Sequence, residues 1–281
     1  MTLPLAWITG AGGLIGSHLV KAAPASAPGW RVRGLTRNDC DLADHSAVAA
    51  AFVADQPALV IHCAAITRNP VCEADPALAR RINVEVTHHL SRLSASIPFV
   101  FLSTDLVFDG LRGNYTERDP VNPQGVYARS KVDAEELVLS TPRHTVVRTS
   151  LNAGRSPTGD RSFTEDLHRQ WSAGHRPTLF TDEFRAPLFA GLTARAIWEL
   201  VQGGQAGLFH VAGSERLSRF EIGRLVARAW PELDAVILPA TRTGYRGPPR
   251  PPDTTLDCSK AQAIVSFPLP RFSDWLAANP L

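Results

Sequence analysis

The sequence contains no apolar run that approaches the ~20 residues a helix needs to cross a bilayer. Its first apolar stretch is short and leads directly into glycines, so neither a signal peptide nor a membrane span is expected. The 29 Lys and Arg nearly balance the 27 Asp and Glu, which leaves a net charge of +2. That excess is too small to predict a nucleic-acid or membrane partner. We expect a globular, cytoplasmic protein with a small-molecule substrate.

Cysteine is also scarce, and the four cysteines show neither C-x-x-C pairs nor the spacing of metal ligands: Cys40, Cys63, Cys72 and Cys258. Reduced thiols in the cytoplasm are the simplest interpretation. The sequence therefore predicts no metal site, and Cys63, which lies within an apolar strand, is expected in the core.

The glycine run near the N-terminus is the most informative feature that is present. A short apolar strand ends at Thr9, three glycines follow with G-x-x-G-x-x-G spacing (Gly10, Gly13 and Gly16), and a helical pattern begins at once. Glycine permits the tight turn, the close approach of a diphosphate and the close packing of helix on strand. The helix N-terminus offers free N–H groups to phosphates. The run predicts a dinucleotide site, with a purely structural turn as the alternative.

Strands and helices alternate through the first half of the chain. Strands are predicted near residues 5–9, 31–36, 58–63, 98–103 and 144–149. Helices are predicted near residues 14–23, 45–55, 75–95 and 125–139, and later near 189–202 and 218–229. This order predicts an α/β fold with a doubly wound parallel sheet of the Rossmann type and a smaller, discontinuous C-terminal substrate lobe. We assign 1–149 with 187–212 to the dinucleotide-binding domain and 150–186 with 213–281 to the lobe.

Three side chains are candidates for catalysis. Tyr127 and Lys131 are four residues apart, which places both on one face of a helix. A lysine ammonium would stabilise the phenolate and move the tyrosine pKa toward neutrality. Thr104 ends the preceding strand, where ligands bind in such folds, and its hydroxyl could hold a substrate carbonyl or simply cap the turn at the strand end. The following Asp105 could bind a sugar hydroxyl or cap the next turn.

The end of the second predicted strand indicates which cofactor binds. NAD sites place an acidic residue there to hold the ribose 2′-hydroxyl, whereas this chain has Arg37. An arginine suits a 2′-phosphate, so NADP(H) is favoured over NAD(H). Asp41 and Leu42 could border the adenine, or Asp41 could cap the next helix. Later, Arg242, Arg246 and Arg250 could clamp a diphosphate or simply keep a proline-rich loop solvated.

With these motifs assembled, the chain resembles the extended short-chain dehydrogenase/reductase superfamily, in particular its dTDP-4-dehydrorhamnose reductase-like branch. The matching segments span nearly the whole chain: Thr9–Gly16, His62–Ala65, Asn83-Val84, Ser103–Phe108, Tyr115–Glu117, Tyr127–Lys131, Arg148–Ser150 and Arg250–Lys260. The resemblance implies reduction of a nucleotide-linked keto-sugar, in which Tyr127 donates the proton, Lys131 assists it and holds the ribose, and Thr104 positions the carbonyl. It implies cofactor contacts at Gly13, Leu14, Ile15, Asp41, Leu42, Cys63, Ala64, Ala65 and Leu102.

The chain departs from rhamnose-forming reductases in the expected sugar pocket. Leu106 stands where those enzymes usually have tyrosine, and Leu151, followed by Asn152, stands where they have an aromatic residue. Asn152, Asp105 and Arg250 are candidate substrate contacts. Two alternatives remain open: a reductase or epimerase of another carbonyl compound, and a non-catalytic NADP-binding regulatory subunit, since the branch includes a relative that regulates methionine adenosyltransferase. A homodimer is also expected.

Overall fold

The computed structural model describes residues 2–279. Strands and helices alternate through its first half as follows: β1 (Leu5–Thr9), α1 (Leu14–Ser26), β2 (Arg31–Leu35), α2 (His45–Asp55), β3 (Leu59–His62), α3 (Asn69–Ala74), α4 (Pro76–Arg80), α5 (Val86–Leu93), β4 (Phe99–Thr104), α6 (Val126–Leu139) and β5 (Thr145–Thr149). The five predicted strands are all present. The helix predicted over 75–95 is instead interrupted, because Arg81–Glu85 forms a π-helical turn between α4 and α5.

The second half begins with shorter elements. They are β6 (Asn152–Ala153), α7 (Phe163–Ser172), β7 (Thr178–Phe180), β8 (Phe184–Arg185), β9 (Leu188–Phe189), α8 (Ala190–Gln202), β10 (Gly207–Val211), β11 (Leu217–Ser218), α9 (Arg219–Arg228), β12 (Leu238–Ala240), α10 (Ser259–Gln262) and α11 (Phe272–Ala278). The sequence did not predict α7, because glycine and proline interrupt the residues around it. A capping box was the available signal, since Ser162 and Glu165 each bond the other's backbone N–H.

Six strands form one parallel sheet in the order β10-β5-β4-β3-β1-β2. Its central strands are buried on both faces, which explains their continuous apolar sequences. The order of the strands reverses direction between β1 and β3, and the carboxyl ends of these parallel strands lie at one edge of the sheet. The predicted doubly wound α/β sheet is confirmed, and this edge carries the candidate site.

The sheet is covered by helices on both faces. One core packs α1 and α8 on the sheet around Leu19, Ile61 and Trp198, and the other packs α2, α5 and α6 around Trp7 and Phe99. The tryptophan of α8 also donates its indole N–H to the Leu19 carbonyl oxygen at 3.0 Å. These contacts fix the helix that follows the glycines on the sheet.

A separate apolar core lies between α7, α9 and α11, and it includes Leu167, Trp171, Ile222 and Phe272. The predicted assignment of 150–186 and 213–281 to a second lobe stays a prediction. Within the latter segment, Ala261, Val265, Phe267 and Leu269 pack into the sheet core rather than into this second one. Within residues 2–279, no helix is long and apolar enough to span a membrane.

Candidate active site

The turn after β1 requires glycine at two positions. Gly10 has a positive φ of 69°, and a Cβ there would lie 2.7 Å from the backbone nitrogen of Ala64. A Cβ on Gly16 would lie 2.2 Å from the carbonyl oxygen of Gly10. These distances confirm the predicted tight turn and close helix packing. Gly13 is the N-cap of α1, which in the described structure has neither a side-chain cap nor an acidic residue in its first turn. The first N–H groups of α1 are therefore available to a phosphate.

The end of β2 lies beside this turn. The backbone N–H of Ala11 donates to the carbonyl oxygen of Leu35 at 3.2 Å, which holds the start of the glycine run against β2. Arg37 follows with 86% of its side chain exposed, and its nearest carboxylate is that of Asp41 at 3.8 Å. The guanidinium of Arg37 is therefore exposed and only weakly paired. Asp41 does not cap α2, because Asp44 accepts the hydrogen bond from the Ala47 N–H.

Most of the other predicted cofactor residues lie at the start of α1 or directly after β3. Leu14 and Ile15 begin α1, and Ile15 packs against the sheet core. Cys63, Ala64 and Ala65 follow β3 directly. Leu42 packs against the core on the opposite face of the sheet. Leu14, Ile15 and residues 63–65 thus follow the carboxyl ends of β1 and β3, at the edge that holds the glycine turn.

Tyr127 lies in the first turn of α6 and is 9% exposed. Burial raises the pKa of its phenol well above the usual value, and a hydrogen bond with Thr104 opposes part of that rise. The pKa thus shifts in the direction opposite to the lowering expected from Lys131, because desolvation disfavours the phenolate. The phenol is protonated at neutral pH and has a proton to donate.

Lys131 lies one turn further along α6, and its Nζ donates to the Leu102 carbonyl oxygen on β4 at 2.6 Å. The same nitrogen lies 3.8 Å from the centre of the Phe101 ring. Burial lowers the pKa of Lys131 to about 7, although Glu135 and Cys63 act to raise it. A lysine with this pKa is easily switched between charged and neutral forms near neutrality. The α6 helix thus places Tyr127 next to Thr104 and Lys131 next to Leu102, two residues earlier on β4.

Thr104 and Asp105 have different surroundings. The Thr104 hydroxyl accepts from the Leu106 N–H at 3.2 Å, and the residue is 8% exposed. The Asp105 carboxylate accepts from Ser150 at 2.7 Å and from Thr254 at 2.9 Å. Burial raises the pKa of Asp105 against the opposing effect of these bonds. Asp105 therefore ties β4 to the C-terminal segment, and neither predicted role, sugar contact or turn cap, matches its bonds.

The amide of Asn152 is also engaged within the protein. Its Nδ2 donates to the Thr149 hydroxyl and to the Ser150 carbonyl oxygen, both at 3.0 Å. Its Oδ1 accepts from Thr193 at 2.6 Å. These bonds use both donors and support a structural role rather than the predicted contact with substrate.

The arginines of the proline-rich loop separate into two environments. Arg250 donates to Glu183 at 3.0 Å and lines a cavity, whereas Arg246 is exposed. Arg242 pairs with Asp182 at 3.6 Å and donates to its carbonyl oxygen. Of the three, only Arg250 faces the cavity that could take a substrate.

Sequence reasoning gave no role to Asn83, which lies on the π-helical turn. Its side chain accepts from the Ile66 N–H at 2.8 Å and donates to the Ser130 hydroxyl at 3.0 Å. It therefore links the loop after β3 to α6, the helix that carries Tyr127. π-Helical turns are frequent at functional sites, but the sequence of this turn continues an ordinary helical pattern.

With this geometry in place, the chain can be compared with known proteins. A family model described as the RmlD substrate binding domain matches residues 6–279. The chain belongs to this family. The family branch predicted from the motifs is thereby confirmed, and so is the Rossmann-type fold of its members.

The relatives of this chain have names that indicate different functions. The dTDP-4-dehydrorhamnose reductase of Mycobacterium tuberculosis is 36% identical over 78% of this chain and 73% of its own. Methionine adenosyltransferase 2 subunit beta of Danio rerio is 26% identical over 92% of this chain and 84% of its own. The Bacillus anthracis dTDP-4-dehydrorhamnose reductase, solved with NADP, has a TM-score of 0.89 at 22% identity, covering 99% of this chain and 98% of its own.

Proposed function

We propose that this RmlD-family chain is an NADP-dependent reductase of the keto group of a nucleotide-linked sugar. The observation that carries the proposal is the convergence of Tyr127, Thr104 and Lys131 beside the glycine turn. The M. tuberculosis relative is named as a reductase of this class, which supports the proposed reaction type. A cytoplasmic location and the homodimer stay predictions.

The proposed cofactor fits the residues at the sheet edge. Gly10 and Gly16 permit the tight turn that leads from β1 into α1, and α1 presents free N–H groups to a diphosphate. The exposed Arg37 would bind the 2′-phosphate, which supports NADP. Reduced nicotinamide supplies a hydride to the carbonyl carbon when it is bound.

The protein's own residues then control the proton. Thr104 would hold the substrate carbonyl, and Tyr127, whose raised pKa keeps it protonated, would donate its proton to the carbonyl oxygen. Lys131 would stabilise the phenolate that forms, because its Nζ is fixed by the Leu102 carbonyl oxygen at the same end of β4. The deprotonated tyrosine regains a proton after product release.

Replacing Tyr127 with Phe tests the proposal. Loss of the general acid should lower kcat by ~100-fold or more. The assay is NADPH oxidation with a panel of nucleotide-linked 4-keto-sugars, including dTDP-4-dehydrorhamnose. NADPH binding, measured by fluorescence, should be unchanged in Tyr127→Phe. Turnover equal to that of the wild type would exclude Tyr127 as the acid.

A regulatory subunit is the second candidate, since the D. rerio relative is named as a subunit of methionine adenosyltransferase and matches most of the chain. Such a protein would bind NADPH, reduce no keto-sugar in the panel and change the activity of an added methionine adenosyltransferase. Turnover that depends on Tyr127 excludes it.

A further inference from the structure

Arg219, the first residue of α9, places a guanidinium beside a cavity of about 220 Å³ in the second half of the chain. The cavity lies between α7, β7 and the start of α9, and Arg250, Phe163 and Phe180 also line it. Its volume is below the ~300–1,000 Å³ typical of pockets that enclose a whole drug-sized ligand. The cavity can therefore hold one part of a larger substrate.

The guanidinium of Arg219 is unusual because one of its nitrogens, Nη1, is buried and has no hydrogen-bond partner within residues 2–279. The residue as a whole is half-buried, and its guanidinium carbon lies 5.5 Å from the centre of the Phe163 ring. Its backbone N–H donates to the Glu183 carbonyl oxygen at 2.8 Å, which fixes the start of the helix but leaves the side chain unsatisfied. Buried donors without partners are rare and costly, so a bonding partner is expected.

The charged residues around Arg219 indicate that its missing partner is an anion. Glu183 is already bonded by Arg250 at 3.0 Å and by Arg185 at 3.1 Å, so its two oxygens are in use. The other nearby carboxylate, Asp166, pairs with Arg169 at the surface. Arg219 makes no ion pair within 4.0 Å among the described residues. Burial lowers its pKa to about 10, which leaves it protonated at neutral pH. The attraction of Glu183 compensates this charge only in part, because Arg185 and Arg250 already bond that carboxylate.

A chain of buried ion pairs runs from this cavity toward the catalytic threonine. Arg185 contacts Glu183 and also lies 3.7 Å from Asp105, which directly follows Thr104. A substrate anchored at Arg219 and Arg250 would therefore extend toward the reacting end of the site. The aromatic walls of the cavity suit a base, and two guanidinium groups suit the oxygens of phosphate.

We propose that Arg219 is a specificity-determining residue that binds the diphosphate of a nucleoside-diphosphate-linked substrate, together with Arg250. This inference rests on the proposed substrate class but not on turnover. The proposal predicts that the affinity of this cavity for a nucleotide depends more on the phosphates than on the nucleoside.

The test compares Arg219→Met, Arg219→Lys and the control Arg224→Met, an exposed arginine on the same helix. Calorimetry measures binding of dTDP, UDP and thymidine to the full chain. Arg219→Met should weaken dTDP and UDP by 10-fold or more, Arg219→Lys should weaken them less, and thymidine should be unaffected. Arg224→Met should match the wild type, and NADPH binding should be equal in all four proteins.

Thermal unfolding without ligand separates this role from a structural one. Removing an unpaired buried cation should leave the Tm of Arg219→Met equal to or above that of the wild type. A lower Tm with unchanged dTDP affinity would overturn the inference, as would equal losses for dTDP and thymidine, or no binding of dTDP or UDP by the wild type. Arg219-dependent dTDP binding without turnover of any keto-sugar would leave it standing while removing the proposed reductase function.

Discussion

Replacing Gly16 with Ala places a methyl group in the tightest contact of the glycine turn. The added Cβ would lie 2.2 Å from the Gly10 carbonyl oxygen and 2.7 Å from the Gly10 carbonyl carbon. Both atoms belong to the backbone, so neither can rotate away as a side chain would. Relief requires α1 to move away from the turn that follows β1, and this movement would displace the N–H groups proposed to bind the diphosphate.

The magnitude follows from two opposing effects. Alanine within a helix is favoured over glycine by about 1 kcal/mol. Forcing an extra methyl into a packed site costs ~1–3 kcal/mol, and contact with rigid backbone places this case at ~3 kcal/mol or more. The net loss is about 2 kcal/mol, which corresponds to a decrease in Tm of ~4–8 °C for a chain of this size.

Thermal unfolding and NADPH titration check this expectation, and Gly191→Ala is the matched control. Gly191 also lies in the first turn of a helix, α8, but its added Cβ would only meet His18 Nδ1 at an ordinary 3.6 Å. The control should keep or raise the Tm and keep NADPH affinity. If Gly16→Ala unfolds at the same temperature as Gly191→Ala and binds NADPH equally well, the close packing of α1 on the turn is refuted.

Two further predictions concern charge. Arg37→Ala should raise the Kd for NADPH about tenfold, equivalent to ~1.4 kcal/mol, and leave the Kd for NADH nearly unchanged, whereas equal effects on both cofactors would exclude a 2′-phosphate contact. The pKa of Lys131 falls from 10.5 in the unfolded chain to about 7 in the folded chain, so the folded chain binds this proton less well. Charged Lys131 therefore destabilises the apoprotein fully below pH 7. This penalty decreases as the pH rises and disappears at about pH 10.5. The Tm of Lys131→Met minus the Tm of the wild type should therefore be larger at pH 6 than at pH 9.5. A Tm difference that does not depend on pH would contradict the burial of the charge.

Sequence patterns were sufficient for the elements that are organised locally. The β3 and β4 strands are largely apolar because both of their faces are buried. The turn after β1 requires glycine at Gly10 and Gly16, because a Cβ at either position would collide with backbone atoms. The i to i+4 spacing likewise places Tyr127 and Lys131 on one face of α6. The α7 helix was missed because its flanking residues resemble a loop, and only the capping box at Ser162 marks its start.

Properties that depend on burial could not be predicted in the same way. The pKa of Tyr127 rises rather than falls because the packing around α6 desolvates the phenol, which its spacing from Lys131 does not reveal. Asp105 follows Thr104 in sequence, yet its partners Ser150 and Thr254 come from distant segments. Arg219 is one arginine among many in the sequence, and only the tertiary structure shows that its Nη1 lacks a partner.

The position of β10 at the edge of the main sheet has a consequence for how the chain folds during synthesis. β5 pairs with β4 on one side, but its other partner, Gly207–Val211, is translated only after the intervening residues 150–206. Until then the nascent sheet ends in a strand with unpaired backbone groups, which can recruit other strands. The helix that buries Trp198 against α1 emerges in the same interval. Cotranslational folding must therefore keep this edge protected until Gly207–Val211 has left the ribosome.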